Sequence, residues 1–157
     1  MNILVAYYPL GEAPKIAKRF EEILKIRQID VTLYPISVEE KDIKKQFKTE
    51  KQLVLDTHLD SIKNYDLIIV GTPIVSFTAV PAVNVFIRNL PITKNQKFCL
   101  FATGIGLPGK AIKKMSSLLS MQSAKVIDTQ VFSSIFEFDS KKLKEVDAFF
   151  ERFEKQI

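Results

Sequence analysis

The chain has 157 residues, of which 46% are hydrophobic and 26% are charged, a composition that excludes a disordered chain. This length predicts one domain, residues 1–157, built on a single substantial core. The net charge of +5 comes from 23 basic and 18 acidic residues, and because the lysines are spread over most predicted helices without an arginine-rich aromatic platform, we expect no nucleic-acid partner.

Five short apolar runs are predicted to be β-strands. In chain order they cover residues 2–8, 31–36, 66–72, 97–103 and 125–132. The first, third and fourth are almost continuously hydrophobic, which is typical of strands buried on both faces of a parallel sheet. The second and fifth contain more polar residues, so we expect them at the two edges of the sheet.

The segments between these runs are predicted to be mostly helical. An apolar stripe with a period of about 3.6 residues predicts helices over residues 15–26, 80–90, 109–121 and 140–156, with Ser140 as the last N-cap. Segment 39–64 is less regular, and we expect a mobile, charged start followed by a short helix within 57–65. Strands that alternate with helices predict an α/β domain with a parallel sheet and helices on both faces.

Three loops that follow predicted strands have an unusual composition. They cover residues 9–14, 71–83 and 102–111, and they contain all five glycines of the chain. In open α/β sheets, ligands bind beyond the carboxyl ends of the strands, and glycine permits close approach of the backbone. We therefore predict a ligand crevice at these loops, with ordinary turn chemistry as the alternative.

The segments around these loops resemble the flavodoxin family, and the likeness extends over nearly the whole chain. It is carried by "ILVAYYPLGEAPKIAKRF" at the start, "YDLIIVGTPIV" and "TAVPAVNVFI" in the middle, and "FCLFATGIGLPGKAIKKM" late in the chain. The last strand lacks a long insertion, as in the short-chain members. The resemblance implies a flavodoxin-like, doubly wound five-stranded parallel sheet in the order 2-1-3-4-5, with FMN as cofactor.

The resemblance also implies which residues contact FMN. Loop 71–83 is similar to the family loop that flanks the isoalloxazine ring, where Phe77 is the candidate for stacking and packing beneath the loop is the alternative. Loop 102–111 is similar to the one that contacts the pyrimidine side of the flavin. The implied contacts are Pro9, Leu10, Gly11, Glu12, Ala13, Lys15, Thr72, Pro73, Ile74, Val75, Phe77, Thr103, Gly104, Gly106 and Leu107.

The first loop departs from the phosphate-binding pattern of the family, Ser/Thr-x-Thr-Gly-x-Thr. Pro9 and Ala13 stand where hydroxyl residues should be, and one residue is missing before Gly11, so all three hydroxyls are lost. Each lost bond to a charged phosphate costs roughly 1.5–3 kcal/mol. The N–H groups from Leu10 to Ala13 and the helix dipole can still hold an anion. Glu12 opposes the phosphate, whereas Lys15 could reach back toward it.

Two functions follow from these observations. The first is a flavodoxin-like FMN-binding protein in electron transfer or quinone-type reduction, whose partner is a redox protein or a small-molecule acceptor, with an acidic partner favoured by the positive charge. The second is a binding module that has lost FMN and whose crevice is filled by Leu10, Val75, Phe77 and Leu107. Whether the chain is an enzyme stays open.

No other chemistry is indicated by the sequence. Cys99 lies in an apolar strand and is interpreted as an inert core thiol, and His58 is interpreted as a surface residue without metal-ligand neighbours. No side chain is predicted to be catalytic, because FMN would supply the chemistry. No apolar run approaches the roughly 20 residues that span a bilayer, no signal peptide is visible, and we expect a cytoplasmic location.

Overall fold

The computed structural model describes residues 1–56, 62–105, 109–133 and 139–157. The strands are β1 (Asn2–Tyr7), β2 (Asp30–Pro35), β3 (Leu67–Val75), β4 (Thr78–Ala79), β5 (Lys97–Gly104) and β6 (Lys125–Ser133). The helices are α1 (Ala13–Ile26), α2 (Ile43–Lys48), α3 (Pro81–Asn89), α4 (Ala111–Ser120) and α5 (Ser140–Glu154), with short 3₁₀ turns at Glu50–Gln52 and Ile62–Asn64.

Five strands form one parallel sheet in the order β2-β1-β3-β5-β6, and the short β4 pairs antiparallel with the end of β3. The five-stranded order predicted from the sequence is therefore confirmed. The outer strands β2 and β6 are the half-exposed ones, whereas the first seven residues of β3 are buried. The number of polar residues in a strand thus predicted whether it lies inside the sheet or at its edge, because only an inner strand is covered on both faces.

Helices cover both faces of the sheet, and each face has its own core. Side chains of α1 and α5 pack on one face, and those of α3 and α4 pack on the other. The first face contains aromatic rings packed in tilted and edge-to-face pairs, including Phe20 against Phe101 at 5.9 Å between ring centroids and Phe149 against Phe153 at 5.2 Å. Burying each such ring contributes about 1.5–3 kcal/mol. Among the described helices, none combines the length and apolar character needed to cross a bilayer.

Gly71 has a packing role inside the sheet. A Cβ atom at this position would lie 1.9 Å from Cζ of Phe101, so only glycine leaves room for that ring on the neighbouring strand. This glycine was counted among the markers of a ligand crevice. Its presence is explained by the core instead.

The charged segment after β2 differs from its prediction, because it contains a helix rather than a mobile start. The carboxylate of Asp42 caps α2 by accepting from the backbone N–H groups of Lys44 at 2.8 Å and Lys45 at 3.3 Å. Gln46 is fully buried and donates to the Tyr8 hydroxyl at 3.1 Å. The Asp42 cap and the buried, hydrogen-bonded Gln46 side chain therefore stabilise this short helix. Within 57–65 the described part contains only the 3₁₀ turn, and 57–61 lie outside the described residues.

The N-cap of α5 also differs from the prediction by one residue. The cap is Asp139, whose carboxylate accepts from the N–H groups of Lys141 and Lys142, both at 3.1 Å, and Ser140 is the first helical residue. Both residue types cap well, so composition alone did not choose between them.

Candidate functional site

The three loops lie at one edge of the sheet, which we call the carboxyl edge. Strands β1, β3 and β5 are parallel neighbours, and the register pairs Tyr7 with Gly71 and Pro73 with Thr103. The N–H of Tyr8 also donates to the carbonyl of Gly71 at 3.1 Å, which ties the first loop to β3. The segments that follow these strands therefore leave the sheet side by side.

The second loop is a β-hairpin that the sequence analysis did not foresee. Val75 pairs with Thr78 across the two-residue turn Ser76-Phe77, in which φ is 51° and 61°. Two left-handed residues are typical of a type I′ turn, which favours asparagine and glycine. Holding other residues there costs about 1–3 kcal/mol each. The strained turn carries Phe77 to its tip, where 69% of the residue is exposed.

The tip of the hairpin docks on the third loop through a backbone contact. The N–H of Lys110 donates to the carbonyl oxygen of Phe77 at 2.7 Å. Gly109 has φ +59°, and a Cβ there would lie 2.3 Å from that same oxygen. Glycine at this position is therefore required both by conformation and by the close approach of the two loops.

Several of the predicted contact residues lie beneath these loops rather than on them. Thr72 is fully buried, and its hydroxyl donates to the Pro73 carbonyl at 2.9 Å and accepts from the Val80 N–H at 3.1 Å. This hydroxyl fastens the hairpin to the start of α3. Pro73 and Thr103 are buried and Ile74, Val75 and Gly104 are half-buried, while Gly106 and Leu107 lie outside the described residues. Their contacts with a ligand stay predictions.

Each of the three loops carries one large apolar side chain exposed to solvent. Leu10 is 45% exposed, Phe77 69% and Ile105 82%. We call these three residues the edge patch. Contiguous exposed apolar patches mark interaction sites in soluble proteins, and the parallel register places these three loops at one edge of the sheet. Ile105 was missed by the sequence analysis, although an apolar residue between two glycines, Gly104 and Gly106, was a usable signal.

The exposure of the edge patch bears on the alternative in which the crevice is filled from within. That hypothesis required Leu10, Val75 and Phe77 to pack into the space between the loops, with Leu107 beyond the described residues. Leu10 is instead 45% exposed and Phe77 69%, and Val75 is half-buried. The filled crevice is not favoured.

The first loop offers backbone donors at the start of α1. The N–H of Leu10 is used, because it donates to the Tyr8 carbonyl at 2.8 Å. Those of Gly11, Glu12 and Ala13 have no acceptor among the described residues. Gly11 is exposed and Glu12 half-buried, whereas Ala13 is buried. Pro9, also in this loop, is exposed. The accessible donors are thus two rather than the four that the sequence suggested.

Glu12 occupies the N-cap of α1 without capping it. Its side chain accepts no hydrogen bond from the helix, and its Oε2 atom is buried without a hydrogen-bond donor among the described residues. The Lys15 ammonium lies 3.3 Å from that oxygen in an ion pair without hydrogen-bond geometry, and it balances the charge. Since Lys15 is 57% exposed, the pair contributes at most about 1 kcal/mol. Lys15 therefore reaches back to the loop, and the negative charge of Glu12 is partly neutralised there.

Other candidate groups in the described part of the chain supply no further site. Cys99 is fully buried, and burial raises the pKa of its thiol, which fits an inert core residue. His58 lies outside the described residues. Within the described ranges, no cluster of three histidine, cysteine, aspartate or glutamate side chains could hold a metal ion.

Neither the protein-family models nor the curated proteins compared with the sequence match it. Solved structures do. A flavodoxin from Streptococcus pneumoniae TIGR4 superposes with a TM-score of 0.71 at 11% identity, covering 100% of both chains. A flavodoxin from the domain Archaea gives 0.67 at 16% identity, covering 99% of this chain and 98% of that one. A flavoprotein from Lactobacillus acidophilus NCFM in complex with FMN gives 0.61 at 19% identity, covering 94% and 97%. The chain therefore has the flavodoxin-like fold.

Proposed function

We propose that this protein binds FMN at the carboxyl edge and uses it in electron transfer or in the reduction of a quinone-type small molecule. The observation that carries the proposal is the edge patch, one exposed apolar side chain from each of three loops, together with N–H groups at the start of α1 that have no acceptor in the described part of the chain. A flat aromatic ring joined to a phosphate needs this combination of apolar contact and anion-binding donors. The solved FMN complex of a protein with the same fold supports the choice of ligand.

The residues at the edge fit the two ends of FMN unequally. At the ring end, Leu10, Phe77 and Ile105 provide apolar area, and Phe77 is the aromatic side chain available for stacking. At the phosphate end, Gly11 and Glu12 provide N–H donors, and Lys15 balances the carboxylate that would otherwise repel a dianion. We therefore expect FMN to bind through its ring more than through its phosphate.

FMN, when bound, supplies transfer of one or two electrons. The chain's own residues hold and orient it, and none is assigned an acid, base or nucleophile role. The hydroxyl of Thr72 contributes indirectly, because its two internal bonds fix the base of the hairpin that carries Phe77. A cytoplasmic location stays a prediction, and so does the nature of the electron acceptor.

The test is a titration of FMN with the purified protein, followed by quenching of flavin fluorescence. We expect quenching by the natural sequence and weaker binding by Phe77→Ala. Met121→Ala is the matched control, because Met121 is 80% exposed at the opposite end of α4, and it should bind like the natural sequence. An unchanged fluorescence signal at protein concentrations in large excess over FMN would overturn the proposal.

The phosphate end is tested by two changes at Glu12. Glu12→Gln removes the charge, and Glu12→Thr removes the charge and adds a hydroxyl of the kind that the family uses. One new hydrogen bond to the phosphate, worth roughly 1.5–3 kcal/mol, should tighten binding by Glu12→Thr about tenfold or more relative to Glu12→Gln. Equal affinities of the two variants would mean that the loop does not touch the phosphate.

A further inference from the structure

One part of the chain carries a net positive charge because it lacks acidic residues. Residues 67–127 contain seven lysines and arginines and no aspartate or glutamate, so this segment carries more positive charge than the whole protein's net +5. It includes β3, the hairpin, β5 and α4. The lysines are spread along the sequence as predicted, but the acids are not.

Three of these lysines lie at the start of α4, at the carboxyl edge. Lys110 is the N-cap, and Lys113 and Lys114 follow within the first turn or directly after it. No acidic residue lies in the first turn of α4, no basic residue lies in its last turn, and no side chain caps it. This distribution is the reverse of what a helix dipole favours. By contrast, α2 and α5 at the same edge are capped by Asp42 and Asp139.

The three lysines have no compensating partner within the described residues. None of their ammonium groups belongs to an ion pair there, whereas Lys15 and Lys142 pair with Glu12 and Glu145. Lys110 and Lys113 are exposed and Lys114 is half-buried. An unfavourable cluster that nothing in the described fold neutralises is suited to a negative group from outside.

The first of the α4 lysines is joined to the edge patch through its backbone. The backbone of Lys110 is hydrogen-bonded to Phe77 at 2.7 Å, and Ile105 belongs to the same loop. The surface therefore combines exposed apolar groups with positive charge that has no ion-pair partner in the described ranges. Protein–protein interfaces have this composition, with an apolar centre for affinity and charges at the rim that steer association.

We propose that the edge patch and the α4 lysines together dock an acidic protein partner that exchanges electrons with this chain. The electron-transfer part rests on the proposed FMN function: FMN would occupy part of the edge patch, and the partner would dock on the remaining part together with the α4 lysines. A protein fits better than a nucleic acid, since the basic cluster contains lysine without arginine and two of the three apolar groups, Leu10 and Ile105, are aliphatic and offer no ring for base stacking.

The experiment uses an acidic [2Fe–2S] ferredoxin as the probe and the FMN-free chain labelled with ¹⁵N. Amide shift changes on titration give both the affinity and the location of binding. At low salt we expect changes centred on Phe77, Ile105 and the α4 lysines, and their loss when the salt concentration is raised. Binding is measured without FMN, so a failed flavin titration and a failed docking surface give different results.

Two triple variants separate location from bulk charge. Lys110→Glu, Lys113→Glu and Lys114→Glu reverse the α4 cluster, whereas Lys63→Glu, Lys94→Glu and Lys125→Glu make the same charge change on exposed lysines at the opposite edge of the sheet. We expect the first set to weaken ferredoxin binding roughly tenfold or more, and the second set to change it much less. The ¹⁵N spectra themselves report whether each variant is folded.

Three outcomes would overturn the proposal. The first is the absence of shift changes at the carboxyl edge at low salt. The second is an equal loss of affinity in the two triple variants, which would make the effect one of net charge. The third is displacement of ferredoxin by an equimolar single-stranded oligonucleotide that shifts the same amides, which would identify a nucleic acid as the occupant.

Discussion

Replacing Gly109 by alanine tests whether the hairpin and the third loop are held together by a close backbone approach. The left-handed φ of +59° costs an alanine about 1–2 kcal/mol. In addition, the new Cβ would lie 2.3 Å from the carbonyl oxygen of Phe77, so the loops must separate. Separation breaks the bond from the Lys110 N–H to that oxygen, worth about 0.5–1.5 kcal/mol. The expected destabilisation is therefore about 1.5–3.5 kcal/mol.

Gly11→Ala is the matched control for this prediction. Gly11 has a similar φ of +64°, but a Cβ there would meet nothing within 4 Å. It should cost only the conformational part, about 1–2 kcal/mol. Thermal unfolding measures both variants, and each kcal/mol lowers the melting temperature by about 2–4 °C for a chain of this size. Equal melting temperatures for Gly109→Ala and Gly11→Ala would refute the close approach.

Three further predictions concern charge and titration. Lys113→Glu places an acid in the first turn of α4, and it should raise the free energy of unfolding by about 0.5–2 kcal/mol, measured by urea denaturation; a destabilised variant would contradict the dipole argument. Because burial raises the pKa of the Cys99 thiol, a thiol-specific reagent should not react with the folded protein at pH 8 but should react once urea unfolds it; rapid labelling of the folded chain would show that the strand is open. The Lys41 ammonium, followed by the Ser37 hydroxyl, lowers the pKa of Asp56 by bonding to its carboxylate. A carboxylate with a lowered folded pKa stabilises the protein above its unfolded pKa, and this contribution is lost as the pH falls through the folded pKa. Asp56→Asn should therefore reduce the loss of stability on acidification between those two pKa values, and an unchanged pH profile of unfolding would argue against the contact.

At the candidate phosphate end, some features could be predicted from the sequence and others required the structure. The loss of three hydroxyls was visible in Pro9 and Ala13, and so was the opposing charge of Glu12. The sequence did not reveal that the Lys15 ammonium lies 3.3 Å from the Glu12 carboxylate. Nor did it reveal that the Leu10 N–H donates to the Tyr8 carbonyl. Both contacts depend on the path of a short loop. Each hydrogen bond that a backbone N–H makes within the loop leaves one donor fewer for a ligand.

The fold itself was determined by patterns that act over a few residues. Continuous apolar runs marked the inner strands, apolar stripes marked the four longer helices, and their alternation fixed the parallel sheet, because a crossover helix must cover the face from which the next parallel strand returns. What only the tertiary structure decided are the features that depend on distant neighbours. Gly71 is required by Phe101 on the next strand, Thr72 is turned inward by Val80, and Ile105 joins Leu10 and Phe77 at one edge. Local propensity cannot encode these arrangements, since each is set by a contact between residues that the chain brings together only when the sheet has formed.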